Sequence, residues 1–317
     1  MATAQPHEAG DEIMASTEAR VGARDTTATL GGLARPHRTL WRDAFHRLAA
    51  NKLALAGGIV VILIALMAIF APIIAPHSYS KPDYAAIGQF PSRQFPMGTD
   101  LLGRDVLSRM IYGAQVSMLV GLGAQLIVFL IGVPIGAISG YAAGRVDTVL
   151  MRLVDVMYAF PQLLFVILIM SALGRGLQNI FIAIGITGWV TIARLTRAEF
   201  LSMRERDYIQ SARAAGAGPW RLISRHMLPN ALTPIIVALT FGVPQAIFTE
   251  AGLSFIGVGI NPPRPSWGQM VGESFTYIQS YWFLALFPAI AIALLMMAFV
   301  FFGDGLRDAL DPRMGRR

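Results

Sequence analysis

Apolar and polar positions alternate along the chain in long blocks. Six stretches, approximately 53–75, 116–141, 153–173, 177–193, 232–256 and 282–302, are almost wholly apolar. Each comes near the roughly 20 residues that a helix needs to cross the hydrocarbon of a bilayer. The fourth is the shortest and carries Thr187, Gly188 and Thr191, but 180–186 is dense in isoleucine and glycine and still reads as a span. Ahead of the first span, LWRDAFHRLAANK places Leu40, Trp41, Ala44, Phe45 and Leu48 on one face at helical spacing. This predicts an amphipathic helix over 41–52, lying at the membrane surface or solvated. Residues 1–40 have no apolar period and predict a disordered tail, and no apolar run near Met1 predicts a signal peptide. Residues 76–115 then form one large loop, and 116–313 a core of five spans.

The polar stretch DYIQSARAAGAGPWRLISRHMLPNALTP, 207–234, interrupts this pattern between the fourth and fifth spans. Residues 197–215 are helix formers without glycine or proline. Gly216 and Gly218 end a helix and Pro219 suits the first turn of the next. In that second helix Leu222, Ile223, His226 and Met227 share a face, with Arg221 and Arg225 on another, and Leu228-Pro229 closes it before the membrane is re-entered at Leu232. The pattern predicts a helix, a tight break and a second helix, with small residues from Ser211 to Gly218 at the tip. Such a knob either fits a cleft on a partner or covers the base of the bundle.

Composition agrees with a membrane chain: 55% of the 317 residues are hydrophobic and 14% charged, against about 25% charged in soluble domains. Mean hydropathy is +0.55. There is no cysteine, which excludes disulfides and thiolate metal sites. Lys52 and Lys81 are the only lysines and neither lies in Gly-Lys-Ser/Thr, so the chain is no P-loop ATPase. The net charge of +7 is a matter of topology. Of the 26 Lys and Arg, 20 fall in 1–52, 144–152, 194–225 and the tail from Arg307. The positive-inside rule therefore puts both termini in the cytoplasm and leaves no nucleic-acid partner. The five histidines (7, 37, 46, 77 and 226) are isolated, which excludes a His-Glu-x-x-His metalloprotease. No serine is placed inside the membrane with a His or Lys. A self-contained secondary transporter would show several buried ionisable groups or an inverted repeat, and neither is evident.

Further positions carry more local expectations. Gly132, Gly136, Gly140 and Gly144 form a four-residue stripe that admits another helix closely, within the chain or from a second subunit. Glu250 is the one acid well inside a span and, with Ser254, a candidate for the transport pathway; it could equally be protonated or paired to a sister subunit. Asp155 is expected to pair with Arg152. Thr99 or Asp100 is expected to cap a helix beside Arg104, Asp105 and Arg109. The rigid Pro262–Gly268 segment is expected to be an extracytoplasmic scaffold with Trp267 as an interfacial anchor. Gly303 and Gly305 are expected to stop the last helix.

Gln210-Ser211-Ala212, Gly216 and His226-Met227-Leu228-Pro229 keep every spacing of the EAA loop of ABC-importer permeases, departing from it at the first, second and isoleucine positions. MGTDLLGRDVLSRMIYGAQVS (97–117), TEAGLSFIGVGINPPRPSWGQMV (249–271) and FFGDGLRDALDPR (301–313) are similar to segments of the dipeptide/oligopeptide (and nickel) permease family, C-type subunit. The resemblance covers about 45–313. It implies an all-α membrane protein of six transmembrane helices with the type I ABC-importer permease (MetI-like) fold and an EAA loop over 195–229. It implies a permease, not an enzyme, in a bacterial inner membrane, with no cofactor of its own. The implied partners are a second homologous permease subunit (a heterodimer), two ABC ATPase subunits that hold ATP and magnesium, and an extracytoplasmic substrate-binding protein. A coupling helix at 208–217 would dock on an ATPase, with Tyr208, Gln210, Ser211, Ala212, Ala215, Gly216, Ala217, Arg221, Leu228 and Pro229 making the contact. With Gln210 in place of the pattern's glutamate, that contact rests on shape more than on an ion pair. Peptides are the implied cargo; a nickel chelate, glutathione or another small solute is the alternative.

Overall fold

The computed structural model describes residues 40–310, with side chains from Phe45 onward. The expectations for the tail before Leu40 and for the residues after Leu310 lie outside the described residues.

The described residues form helices and loops. Helix α1, Leu40–Ala50, ends one residue before α2, Lys52–Ile69, whose first turn is capped by Asn51: Ala54 N–H donates to its Oδ1 at 3.2 Å. A one-turn helix at Ala71–Ile74 and a long loop with a 3-10 turn at Tyr84–Ala86 follow, then α3, Val106–Ala142, of 37 residues. At 1.5 Å per residue this helix is about 55 Å long, well beyond the hydrocarbon thickness. The span expected from 116 thus starts ten residues earlier, because Asp105 accepts from Ser108 N–H at 2.9 Å and caps it. Thr99 and Asp100 shape the loop in place of capping: Thr99 Oγ1 bonds Ala86 O and accepts from Gln89 N–H, and Asp100 Oδ1 accepts from the amides of Leu102 and Arg104.

The third expected span is not straight. It is α4, Gly144–Ala159, followed by α5, Gln162–Leu173, bent by 88° at Phe160-Pro161. Pro161 has no amide hydrogen for the helix and disfavours the helical conformation of the residue before it. Helix α6, Leu177–Arg204, continues past the membrane stretch for eleven residues beyond 193. After α7, Asp207–Ala214, comes α8, Pro219–Phe255, also 37 residues, and then the short α9, Trp267–Ser274. The last, α10, is Trp282–Leu310. Gly303 and Gly305 do not stop it. A Cβ on Gly305 would stand 2.0 Å from that of Ala54, so its glycine allows α2 to lie against α10.

Packing centres on α3. Along its glycine face it meets α6: added Cβ atoms would fall 2.8 Å from Trp189 O at Gly132, 2.3 Å from Ala193 O at Gly136 and 2.6 Å from Phe200 Cβ at Gly140. The stripe is therefore a seam within the chain. Gly144 has left it and, with φ +60°, forms with Ala143 the turn into α4. On its other side α3 packs against α2 and α8, and α8 against α10. Trp267 is 1% exposed and is not an interfacial anchor. Its ring lies over Gly113 and its Nε1–H donates to Met110 O at 2.9 Å, which fixes the start of α9 to α3.

Candidate functional site

The polar knob between α6 and α8 is built by helix termination. The run of helix formers expected to be continuous from 197 breaks after Arg204, and Glu205-Arg206 turns the chain before α7 restarts at Asp207. The helix-forming composition set the propensity but not this corner, which buried Ile209 imposes. Ile209 is fully buried and packs with Phe200, Met203, Met227, Ala231 and Ile235. Residues on α7 around it face outward: Tyr208, Gln210, Ser211 and Arg213 are exposed.

Helix α7 closes in a Schellman motif. Ala217 N–H donates to Ala212 O at 3.0 Å and Gly216 N–H to Arg213 O at 3.0 Å. The pattern needs a left-handed residue at Gly216, and its φ is +84°. Nothing lies within 4 Å of where a Cβ on Gly216 or Gly218 would stand, so the tip is bare backbone and small side chains. Ala215 is exposed there and Ala217 half-buried. Gln210 Nε2 reaches Arg204 O at 3.5 Å, turned back toward the end of α6.

The second half differs from the expected separate helix. Pro219–Arg221 begin it, Leu222–Met227 form a π-helical turn, and the chain runs on through Leu228-Pro229 into α8 without a stop. The Leu228 amide bonds Ile223 O, five residues back. This wide turn keeps both Leu222 and Met227 buried and stands just ahead of Pro229, which has no amide to donate. Arg221 and Pro229 are exposed and Leu228 is half-buried. The ten residues expected to couple thus lie on α7, its closing turn and the start of α8, seven of them exposed and Ala212, Ala217 and Leu228 half-buried. The structure adds Trp220, 78% exposed, which the sequence reading passed over. An aromatic directly after the proline that opens a helix was the available signal.

Glu250 and Ser254 lie elsewhere, at the far end of α8. Glu250 is fully buried, and Ser254 Oγ donates to its Oε1 at 2.6 Å. Gly259 rests on Ser254 and Gly268 on the backbone of Ala251, so the 257–268 segment covers the pair. Neither residue reaches an open surface of this chain in this conformation.

Two charged groups support the bundle. At the end of α3 near α9, Arg109 is 2% exposed and its Nη2 donates to Glu273 at 3.0 Å, while Nη1 stands 3.4 Å from Asp100. Arg104 pairs with Asp100 at 2.7 Å and approaches Glu273 at 3.5 Å. The expected local pairing therefore extends to Glu273, 164 residues from Arg109. A cavity of about 260 Å³ adjoins this group. At the other end of α3, Asp155 pairs with Arg194 at 2.8 Å and not with Arg152, because α4 lies against α6. Asp147 accepts a two-pronged bond from Arg197, at 2.5 and 2.6 Å.

Among the described residues, five helices long and apolar enough to cross a membrane, with the bent α4–α5 pair as a sixth, define a class, the multispanning membrane protein. A solved structure of the MetNI methionine ABC transporter, in an inward-facing conformation, matches with a TM-score of 0.54 at 18% identity, over 64% of this chain and 96% of that one. That likeness is one of fold. A family model described as "binding-protein-dependent transport system inner membrane component" matches residues 132–316, and one described as "N-terminal TM domain of oligopeptide transport permease C" matches 39–95. The dipeptide transport system permease protein DppC of Bacillus subtilis is 43% identical over 89% of this chain and 88% of its own. The oligopeptide transport system permease protein OppC of the same organism is 43% identical over 87% and 90%. The glutathione transport system permease protein GsiD of Pectobacterium atrosepticum is 37% identical over 87% and 92%. The chain belongs to the family of binding-protein-dependent transport system inner membrane components. It is an inner-membrane transport subunit, not an enzyme.

Proposed function

We propose that this chain is one of two homologous permease subunits of an ATP-driven importer for di- or oligopeptides. Two ATPase subunits engage it from the cytoplasm, holding ATP and magnesium, and an extracytoplasmic binding protein delivers cargo. Both termini lie on the cytoplasmic side. The observation that carries the reading is the knob itself: α7 is anchored by buried Ile209, closed at Gly216 and presented with a small-residue tip. Tyr208, Gln210, Ser211, Ala212, Ala215, Gly216, Ala217, Arg221, Leu228 and Pro229 make the ATPase-facing surface, with Trp220 beside them. Closure of the ATPases moves α7, and α6 and α8, which flank it in the chain, pass the movement into the bundle. Peptides are favoured as cargo because relatives named for dipeptides and oligopeptides are 43% identical to the chain over the aligned residues. Cargo contact by Glu250 or Ser254 in this reading requires the 257–268 segment to lift from α8.

The test is the Gly216→Val variant in the reconstituted complex. A β-branched residue at φ +84° breaks the Schellman closure. Membrane insertion should persist while ATPase binding and peptide uptake fall together. Normal substrate-stimulated ATP hydrolysis in that variant would sink the proposal. Mass spectrometry of the ligand carried by the cognate binding protein separates peptide from glutathione or a nickel chelate.

A further inference from the structure

Helix α4 is held to the bundle by few apolar contacts. Val154 is its one buried residue, packed with Trp189, Val190 and Ala193, with Met151 and Met157 half-buried against the same cluster. Val146, Val149, Leu153 and Val156 are all about half or more exposed on its outer side. A pair of ionic contacts to α6 fastens it further. Asp147, with a side chain only 14% exposed, accepts from Nε and Nη2 of Arg197 and from the hydroxyl of Ser139, so that one carboxylate joins α3, α4 and α6. Just over two turns further on, Asp155 pairs with Arg194, whose guanidinium lies 4.4 Å over the ring of Tyr158. Arg194 and Arg197 are three apart on α6 and so project from one side of it.

The location gives these contacts their meaning. Beyond Arg197, α6 continues for seven residues to Arg204, about 10 Å, and α7 begins after a two-residue corner. At its other end α4 leads across the 88° bend into α5. A displacement of α7 is therefore applied to a rigid helix that grips α4 near its base, and α4 is the arm to which α5 is attached. A neutral contact would hold the same shape, but a two-pronged guanidinium–carboxylate fork also fixes orientation.

We propose that Asp147 and Asp155 are positioning residues of the transport cycle: they clasp α4 to α6 through Arg197 and Arg194, so that movement of α7 carries the bent α4–α5 pair with it. The inference rests on the coupling role given to α7 above. Without the clasp, α6 moves and α4–α5 lags, and ATP is hydrolysed without transport.

The complete complex, with sister permease, ATPases and binding protein, is reconstituted in liposomes. Uptake of radiolabelled dialanine and ATP hydrolysis with and without binding protein are measured side by side. Asp147→Asn with Asp155→Asn should leave subunit stoichiometry unchanged and lower both dialanine moved per ATP and the stimulation of hydrolysis by the binding protein, by about fivefold or more. Asp147→Asn alone should show part of that loss, and the reversed pair, Asp147→Arg with Arg197→Asp, should recover much of that part, which a purely local packing role would not predict. Unchanged ratios in the double Asn variant overturn the proposal, and so does failure of both the Asn and the reversed variants to assemble, since the pairing is then a folding requirement. Should the wild-type complex not move dialanine, that dipeptide is not its cargo, and stimulation of hydrolysis by the binding protein still reports on the clasp. Should Gly216→Val leave coupling intact, the role of α7 fails instead.

Discussion

Replacing Gly136 by alanine adds one methyl group at the tightest point of the α3–α6 seam. That methyl would stand 2.3 Å from Ala193 O, 2.7 Å from Thr196 Cβ and 3.0 Å from Arg197 N. Unstrained carbon contacts need about 3.5 Å, so α6 must retreat by about 1 Å. Both closest neighbours belong to the helix backbone or sit at its surface, and neither can swing away as a long side chain would. Overpacking of this kind costs about 1–3 kcal/mol. The better helix propensity of alanine returns up to about 1 kcal/mol, leaving a net loss near 1–2 kcal/mol. A second consequence follows from Arg197 lying on the displaced helix. Its bonds to Asp147, at 2.5 and 2.6 Å, would stretch to about 3.5 Å, the outer limit of a hydrogen bond. Gly252 in α8 is the matched control, because nothing lies within 4 Å of its added Cβ and its φ is not positive. Thermal unfolding of the purified complex in detergent should show a melting temperature lowered by about 2–8 °C for Gly136→Ala and unchanged or raised for Gly252→Ala. Equal melting temperatures for the two, or a more stable Gly136→Ala, would refute the seam as described.

The Trp267→Phe variant keeps the aromatic bulk over Gly113 but loses the 2.9 Å bond to Met110 O. Loosening of α9 by about 1 kcal/mol is expected, read as faster amide exchange in 267–274 with the rest of the chain unchanged. Glu250→Gln preserves an acceptor for Ser254 in a fully buried position, so folding and uptake should survive; loss of uptake with normal folding would make the carboxylate a cargo contact. Trp220→Ala removes an aromatic side chain that is 78% exposed, so thermal stability should be unchanged while retention of ATPase subunits on purification falls, as exposed aromatics anchor interfaces. Equal ATPase retention by wild type and variant would place Trp220 outside the contact.

The spans, the knob and the glycine seam were legible because each depends on a local pattern. Apolar runs of membrane length, a Gly-x-Gly-Pro break and a four-residue glycine period carry their meaning within one segment of sequence. What was missed depends on partners far away in sequence. Asp155 is three residues from Arg152 and paired in expectation with it, yet α4 turns it toward Arg194. Trp267 has the composition of an interfacial anchor, but its environment is set by the missing side chain of Gly113, 154 positions earlier. Gly305 resembles a helix stop and is instead a point of contact for Ala54. The 88° bend was written in Pro161, inside a run so apolar that the hydropathy pattern passed over it.

The knob-side ends of α6 and α8 both lie further out than the hydropathy pattern placed them, and the reason bears on coupling. Hydropathy marks where lipid contact ends, at about 193 for α6 and about 232 for α8, whereas both helices extend well beyond those points, α6 to Arg204 and α8 back to Pro219. The polar extensions are held by Phe200, Met203, Ile209 and Met227, which belong to one apolar cluster beyond the membrane stretch. A flexible connection would absorb a push from below as loop motion. Here the knob is joined to the bundle by two unbroken helices and a packed cluster, with only Glu205-Arg206 and the 215–218 tip outside helical structure. A displacement delivered to α7 therefore has few soft degrees of freedom in which to dissipate before it reaches the seam at Gly136 and the pairing of Arg197 with Asp147.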